Sequence, residues 1–457
     1  MTLDSSEMSE GLVGGDTSLT SPANDDLAGN GADEFSRRHF RWNATWLVIE
    51  NAVFLVAIAF VGSTTVLPTF VTQLGGTATL VGLLATAQTA GWLLPQLLGA
   101  GLCAGKPRML PYILVPLYIG RPVFLIVAAI AFFFGSSQPG LVLVVLYVAI
   151  LVFFAADAIA SVPWYELIGK TISPERRGRM LGTAQIVGGV GGMAAGAAVG
   201  WLLERPELPF PNNFALLFAI SGAIFCANIV TFLFVREPAF VPPAGAGRVS
   251  PTAREFVATL WPILRNDANL VKLVGARLLF GVATATFPFY ILFVQRDFAL
   301  GQERLGLFLT AQVFGNLIGG LCVGWIADRI GTKPVMRLSA VAAAVVPATG
   351  LAMLTMRATS PDLLLAVGTL IFVLMGIVGS ANMIGYINYL LEVAPLQTRS
   401  TYVGLFNTLA GMLIIIPPLA GWLLDATSFF VLFVATIVFA GISLVATFGL
   451  REPIRRG

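Results

Sequence analysis

The sequence is short of charge, of histidine and of cysteine, and each shortage excludes something. Only 11% of the 457 residues are Asp, Glu, Lys or Arg, against roughly 25% in a soluble domain. A water-facing surface of ordinary size cannot be drawn from that supply. The one histidine, His39, precedes the first long apolar run, so it cannot serve as a relay inside a membrane. Cys103, Cys226 and Cys322 lie far apart in apolar stretches without metal-ligand spacing, which argues against a disulfide framework or a zinc site. They read as small buried apolar residues. No Gly-x-x-x-x-Gly-Lys-Ser/Thr run is present, which argues against a nucleotide-driven pump. No nucleophile–base spacing appears either, so enzyme chemistry, a cofactor, a metal and a nucleic-acid partner are not expected. Residues 1–36 hold eight acidic residues and no Lys or Arg. A cleavable signal starts basic, so this segment reads as a disordered cytoplasmic tail extending to residue 40.

What is there instead is apolar length. Hydrophobic residues make up 57% of the chain, and a bilayer core about 30 Å thick needs about 20 of them in a helix. Such stretches recur near 46–72, 77–104, 109–134, 140–167, 179–203, 213–235, 268–295, 303–327, 334–356, 361–391, 401–424 and 428–450; they are called spans one to twelve below. The fold class is therefore an all-α membrane protein of twelve transmembrane helices. Most connections are short, which makes neighbours antiparallel. The exception follows span six, where a Pro/Gly/Ala stretch precedes residues 252–266. There Phe256, Leu260, Trp261 and Leu264 recur at helical spacing, as in a short interfacial helix. The expected units are a six-helix bundle over 41–237, a cytoplasmic linker over 238–266, a second bundle over 267–450 and a cytoplasmic tail over 451–457.

Charge placement sets the orientation. Of the 27 Lys and Arg residues, only Arg205, Arg296, Arg304 and Arg357 fall in or at the edge of the odd-numbered connections, and Arg121 and Arg277 fall deep inside spans. The rest flank the even-numbered connections and the termini, which puts both termini in the cytoplasm. The sequon Asn43-Ala44-Thr45 then faces the cytoplasm and stays unmodified.

The two halves repeat each other. Gly82-Leu83-Leu84-Ala85-Thr86-Ala87-Gln88-Thr89-Ala90-Gly91 in span two matches Gly306-Leu307-Phe308-Leu309-Thr310-Ala311-Gln312-Val313-Phe314-Gly315 in span eight at six of ten positions. Span five ends Gly200-Trp201-Leu202-Leu203-Glu204, and span eleven ends Gly421-Trp422-Leu423-Leu424-Asp425. Spans six and twelve both close on Arg-Glu-Pro. Parallel six-helix repeats are a known transporter design, with the solute site between them near the midplane.

Between spans eight and nine, Gly324-Trp325-Ile326-Ala327-Asp328-Arg329-Ile330-Gly331-Thr332-Lys333 resembles the signature loop of the major facilitator superfamily. Pro174-Glu175-Arg176-Arg177-Gly178-Arg179 is similar to that family's connection before span five. The resemblance covers nearly all of the chain after residue 40. The matching loop between spans two and three lacks the Asp and is shortened. The resemblance implies that spans one, four, seven and ten line a central cavity. It also implies that Gly324, Asp328, Arg329, Gly331, Lys333 and Arg177 form a gating loop set. Asp328 would accept from N–H groups at a neighbouring helix start. Family antiporters carry a Gly-rich motif with a proline in span five; here Gly188, Gly192, Gly196 and Gly200 recur without it, which suits close helix packing.

Charges inside spans are costly and therefore candidates for function. Glu50, Arg121, Asp157 and Arg277 are the expected coupling or intramembrane charges. Arg121 and Asp157 both fall roughly 17 Å from the same membrane edge at 1.5 Å per residue, so a buried pair is expected. Such a pair also serves simply to neutralise charge and fix register. Glu166 lies nearer the interface and reads as a solvated end residue. Ser161, Trp164 and Tyr165 share a face with Asp157, and Thr284, Asn382, Tyr386 and Tyr389 are the matching cavity candidates of spans seven and ten. Pro288 and Pro417-Pro418 should interrupt their helices. The expected function is a monomeric secondary transporter of a small organic solute in the cytoplasmic membrane, proton-coupled and working by alternating access. An uncoupled facilitator, or a sensor or lipid-handling relative of the same fold, fits the same residues.

Overall fold

The computed structural model describes residues 22–238, 262–395 and 399–452, and all regular elements among them are helical. Among the described residues eleven helical segments are long and apolar enough to cross a membrane. Span two falls short only because it is divided: Pro95 separates Ala78–Leu93 from Gln96–Cys103, since proline has no N–H to continue the helix. Together these pieces accord with the expected twelve spans.

Span one begins earlier than expected. Its helix, Pro22–Val61, runs through residues 22–40, so the disordered-tail reading fails there. No Pro or Gly interrupts the chain between residues 32 and 61, and the extension is tied down. Ser36 is buried and donates to the Thr171 carbonyl at 3.2 Å, while the Arg176 guanidinium lies 4.4 Å over the Phe40 ring. Of the expected interfacial helix, Phe256, Leu260 and Trp261 lie outside the described residues; residues 262–266, with Leu264, are helical.

Three spans break near their middles. Span three is divided at Arg121-Pro122, between Leu110–Gly120 and Val123–Phe134. Span seven is divided ahead of Pro288, between Ala268–Thr284 and Phe289–Phe298. Span eleven passes from Arg399–Ala410 through a 3-10 turn at Gly411–Ile415 into Ile416–Ala426, which starts on Pro417 and Pro418. The breaks in spans seven and eleven are those that Pro288 and Pro417-Pro418 led one to expect, whereas the break at Pro122 in span three was not anticipated.

The duplication extends to individual hydrogen bonds. Asn43 in span one accepts from the Arg236 N–H at 2.9 Å and donates to its carbonyl at 2.9 Å. In the other half Asn269 accepts from the Arg451 N–H at 2.9 Å. Both arginines open the repeated Arg-Glu-Pro. The glutamates that follow also serve matching ends. Glu237 accepts from the N–H groups of Met109 and Leu110 at the start of span three, and Glu452 accepts from Lys333 Nζ at 2.6 Å at the start of span nine. Asn43 is fully buried with both amide atoms in use, so its sequon is closed to modification in the folded chain.

The other repeated motifs meet across the halves. The Gly82 block of span two packs on the Gly421 block of span eleven, and the Gly306 block of span eight packs on the Gly200 block of span five. Contact there is so close that a Cβ on Gly82 would strike the Pro417 backbone, and one on Gly306 the backbone of Gly196 and Gly200. The repeated threonines follow the same symmetry. Thr86 donates to the Ile414 carbonyl at 2.5 Å and Thr310 to the Met193 carbonyl at 3.3 Å. Span five's glycines thus serve packing: Gly188 lies against span one and Gly196 against span eight.

Candidate functional site

Among the described residues, every hydrogen bond between the halves lies toward the end of the bundle opposite Ser36 and Arg451. Thr64 reaches Gln312 at 2.7 Å, Gln73 reaches Gln302 at 2.9 Å, and Thr69 reaches Gln295 at 3.3 Å. The Asp425 carboxylate at the end of span eleven accepts from the N–H groups of Ala78 and Thr79 and from the Thr79 hydroxyl, at 2.9, 2.8 and 2.7 Å. A carboxylate from one half therefore satisfies the free N–H groups at a helix start of the other, where the dipole favours negative charge.

Between this closure and the terminal end lies a cavity of about 170 Å³ against the N-terminal half. Its polar wall is built from Glu50 and Asn51 of span one, Arg121 of span three, and Asp157 and Ser161 of span four, with Phe54, Trp92, Trp164 and Tyr165 as its aromatic wall. Arg121 Nη2 lies 3.3 Å from Asp157 Oδ1, with both side chains more than 90% buried. Arg121 Nη1 donates to Asn228 Oδ1 at 3.3 Å, and Asn228 Nδ2 donates to the Glu50 carbonyl at 2.8 Å. The guanidinium also faces the rings of Phe54 and Phe225 at 4.9 and 4.8 Å, where the ring quadrupoles favour a cation. Glu50 is buried, and its Oε2 accepts from Trp164 Nε1 at 3.0 Å. Ser161 donates to the Ala158 carbonyl of its own helix at 2.8 Å. The structure thus brings Glu50, Arg121, Asp157, Ser161, Trp164 and Tyr165 to one cavity. Glu166 is exposed, in keeping with a solvated end residue.

The C-terminal half distributes its candidates differently. Arg277 is half-buried with its guanidinium 5.7 Å from the centre of the Tyr386 ring, and it has no carboxylate partner among the described residues. Thr284 donates to the Phe280 and Gly281 carbonyls of its own helix, just ahead of the break. The Asn382 amide oxygen is buried without a hydrogen bond. Tyr386 and Tyr389, expected on the cavity wall, lie fully buried inside the bundle. Their hydroxyls meet Ser443 at 3.3 Å and the Arg451 carbonyl at 2.8 Å, so they join span ten to span twelve.

The gating-loop residues also separate. Gly324 is half-buried near the end of the span-eight helix, and Gly331 has φ of +112°, a conformation that glycine adopts without strain. Asp328 and Arg329 are exposed; Asp328 accepts no hydrogen bond from a described residue, and Arg329 lies 5.0 Å over the Trp325 ring. Lys333 is buried and binds the Leu450 carbonyl and Glu452, within its own half. Arg177 donates to the Ile172 and Gly169 carbonyls at 2.8 and 2.6 Å, closing the end of span four. Lys333 and Arg177 therefore hold their own bundles together and do not bridge the halves. Asn51, Trp92 and Asn228 were missed by sequence reasoning. Asn228 could have been noticed as an amide in an apolar span, but nothing marked span six as a neighbour of the site.

Comparison with known proteins agrees with this architecture. A variant of the nucleoside transporter NupG superposes with a TM-score of 0.66 at 16% identity, over 88% of this chain and 98% of that one. A bacterial homologue of the iron transporter ferroportin, in an inward-facing state, gives 0.63 at 14% identity over 89% and 98%. A D-xylose transporter from Levilactobacillus brevis is 31% identical over 130 residues, 28% of this chain, and the match spans only 26% of that relative's length. Each of these proteins is named a transporter or a transporter's homologue, and residues 50–301 and 273–457 of this chain match the Major Facilitator Superfamily. The chain belongs to the major facilitator superfamily.

Proposed function

We propose that the chain is a secondary active transporter of a small organic solute, in which two six-helix halves alternate access to a central site and a proton is the coupling ion. The observation that carries this reading is the buried group of Glu50, Arg121 and Asp157 at the edge of the cavity. Two carboxylates and one guanidinium leave one negative charge without a protein counterion. Deep in a membrane such a charge is costly, and a proton removes it. The distal closure, taken with the positive-inside expectation for both termini, supports reading this form as one whose cavity faces the cytoplasm. An exposed Asp328 suits a cytoplasmic gate that is open in that form. The protein would act as a monomer in the cytoplasmic membrane, with the lipid bilayer and the solute as its partners. The Arg121–Asp157 pair also suits an uncoupled facilitator, in which it only joins spans three and four.

Purified protein in proteoliposomes separates the two. Coupled transport gives a solute-triggered pH change that Asp157→Asn abolishes. Solute exchange with no pH change would assign the facilitator instead.

A further inference from the structure

Building on that reading, we infer that the solute carries a protonated amine on a small apolar or aromatic body, and that this amine replaces the proton on Glu50. Three features of the cavity lead there.

The first is charge. Among the described residues Arg121 is the one cation on the cavity wall, and it is already spent. It is 3% exposed, paired with Asp157, bonded to Asn228 and flanked by two rings. An anionic solute entering here would find no free cation and would meet Glu50. The titratable groups around Glu50 are few, and only Arg121 of span three opposes its charge; span four presents Asp157 and Tyr165, and the half-buried thiol of Cys226 in span six is not part of the cavity wall. Span five presents glycines, with Gly188 and Gly191 against Leu55 and Val56. Arg277 of the other half is stacked on Tyr386 outside this cavity.

The second is hydrogen-bond polarity. The Trp164 N–H and the Ser161 hydroxyl are committed to protein acceptors. Glu50 has a second oxygen with no protein donor among the described residues, and the Asn51 amide oxygen beside it is buried and unbonded. A group made only of donors fits these acceptors, and an ammonium is such a group.

The third is the apolar wall. Phe54, Trp92, Trp164 and Tyr165 line the same cavity as that carboxylate, and aromatic faces attract cations as well as apolar bodies. The volume suits a monocyclic amine.

The exchange balances without a further reactant. The ammonium forms an ion pair with the Glu50 carboxylate, and the proton that Glu50 carried passes to bulk water, one for one. Proton and amine then exclude each other. Where Glu50 is protonated in the empty protein, amine affinity should rise about tenfold per pH unit as pH increases.

Binding to the full-length protein in detergent tests this without a gradient. The probes are phenethylamine, its neutral counterpart 2-phenylethanol, the anion 3-phenylpropionate, D-xylose and uridine. Binding is followed by tryptophan fluorescence and by proton release in weak buffer. The expected result is saturable binding of phenethylamine alone, with a proton released, lost in Glu50→Gln and partly restored in Glu50→Asp. Both variants should keep the wild-type melting temperature within a few degrees, which separates loss of the site from loss of the fold. Equal binding of the alcohol, binding of D-xylose or uridine without proton release, or binding of no probe would overturn the inference. A protein that binds the amine yet moves no solute in liposomes would instead refute the transport reading and leave this one standing.

Discussion

Arg121 occupies the break in span three, where Pro122 stops the helix and three Phe rings surround the guanidinium within 6 Å. Its ion pair with Asp157 costs desolvation on both sides, so removing one partner strands the other. Asp157→Asn should lower stability by about 3 kcal/mol, read from thermal unfolding in detergent. Replacing both residues with Leu should cost less than either single Leu change; equal or greater cost would show that the two charges do not depend on each other. These residues were legible in the sequence because a charge in an apolar run is rare and expensive. Asn228 was not, since one amide in an apolar span has too many ordinary uses. Tyr386 and Tyr389 were misassigned for a related reason. A polar stripe shows that a helix face has polar neighbours, but not whether they belong to the cavity or to the helix's own bundle.

At the scale of elements, the repeated Gly-Leu and Gly-Trp-Leu-Leu motifs are the two seams of the distal closure. The sequence displayed the repetition, yet its purpose emerged only when span two was seen against span eleven and span five against span eight. Gly306→Val would drive a side chain into the backbone of Gly196 and Gly200. Cysteines placed at Gln73 and Gln302, whose side-chain amides meet at 2.9 Å, should be joined readily by a short bifunctional thiol reagent in the parent protein and poorly once Gly306→Val is added. Unchanged cross-linking would mean that the seam tolerates separation. Asp425→Asn acts more mildly. Loss of a helix cap costs about 1 kcal/mol, which shifts a two-state equilibrium roughly fivefold. The same cross-linking rate should fall by up to that factor, and no change would deny Asp425 a part in the closure.

For the whole molecule, the architecture was legible because twelve apolar runs, a duplicated chain and an asymmetric charge distribution all point to one arrangement. The helical extension through residues 22–40 was not legible, because a polar segment with four acidic residues and two glycines carries no apolar period and its anchors at Thr171 and Arg176 lie far away in sequence. The paired locks at Asn43 and Asn269 offer a symmetric test. Removing a buried, fully bonded amide costs about 1–3 kcal/mol, so Asn43→Ala and Asn269→Ala should destabilise by similar amounts. A large loss from only one would mean that the halves are not energetic equivalents.

The central claim is that solute movement is tied to a proton through the charges buried in the N-terminal half. It is tested most directly by recording internal pH in proteoliposomes while amine and neutral solutes are added outside, for the wild type, Glu50→Gln and Asp157→Asn. The account predicts a solute-triggered pH change in the wild type that disappears in both variants while the folded protein remains in the membrane. Solute-driven proton flux that persists in both would contradict it.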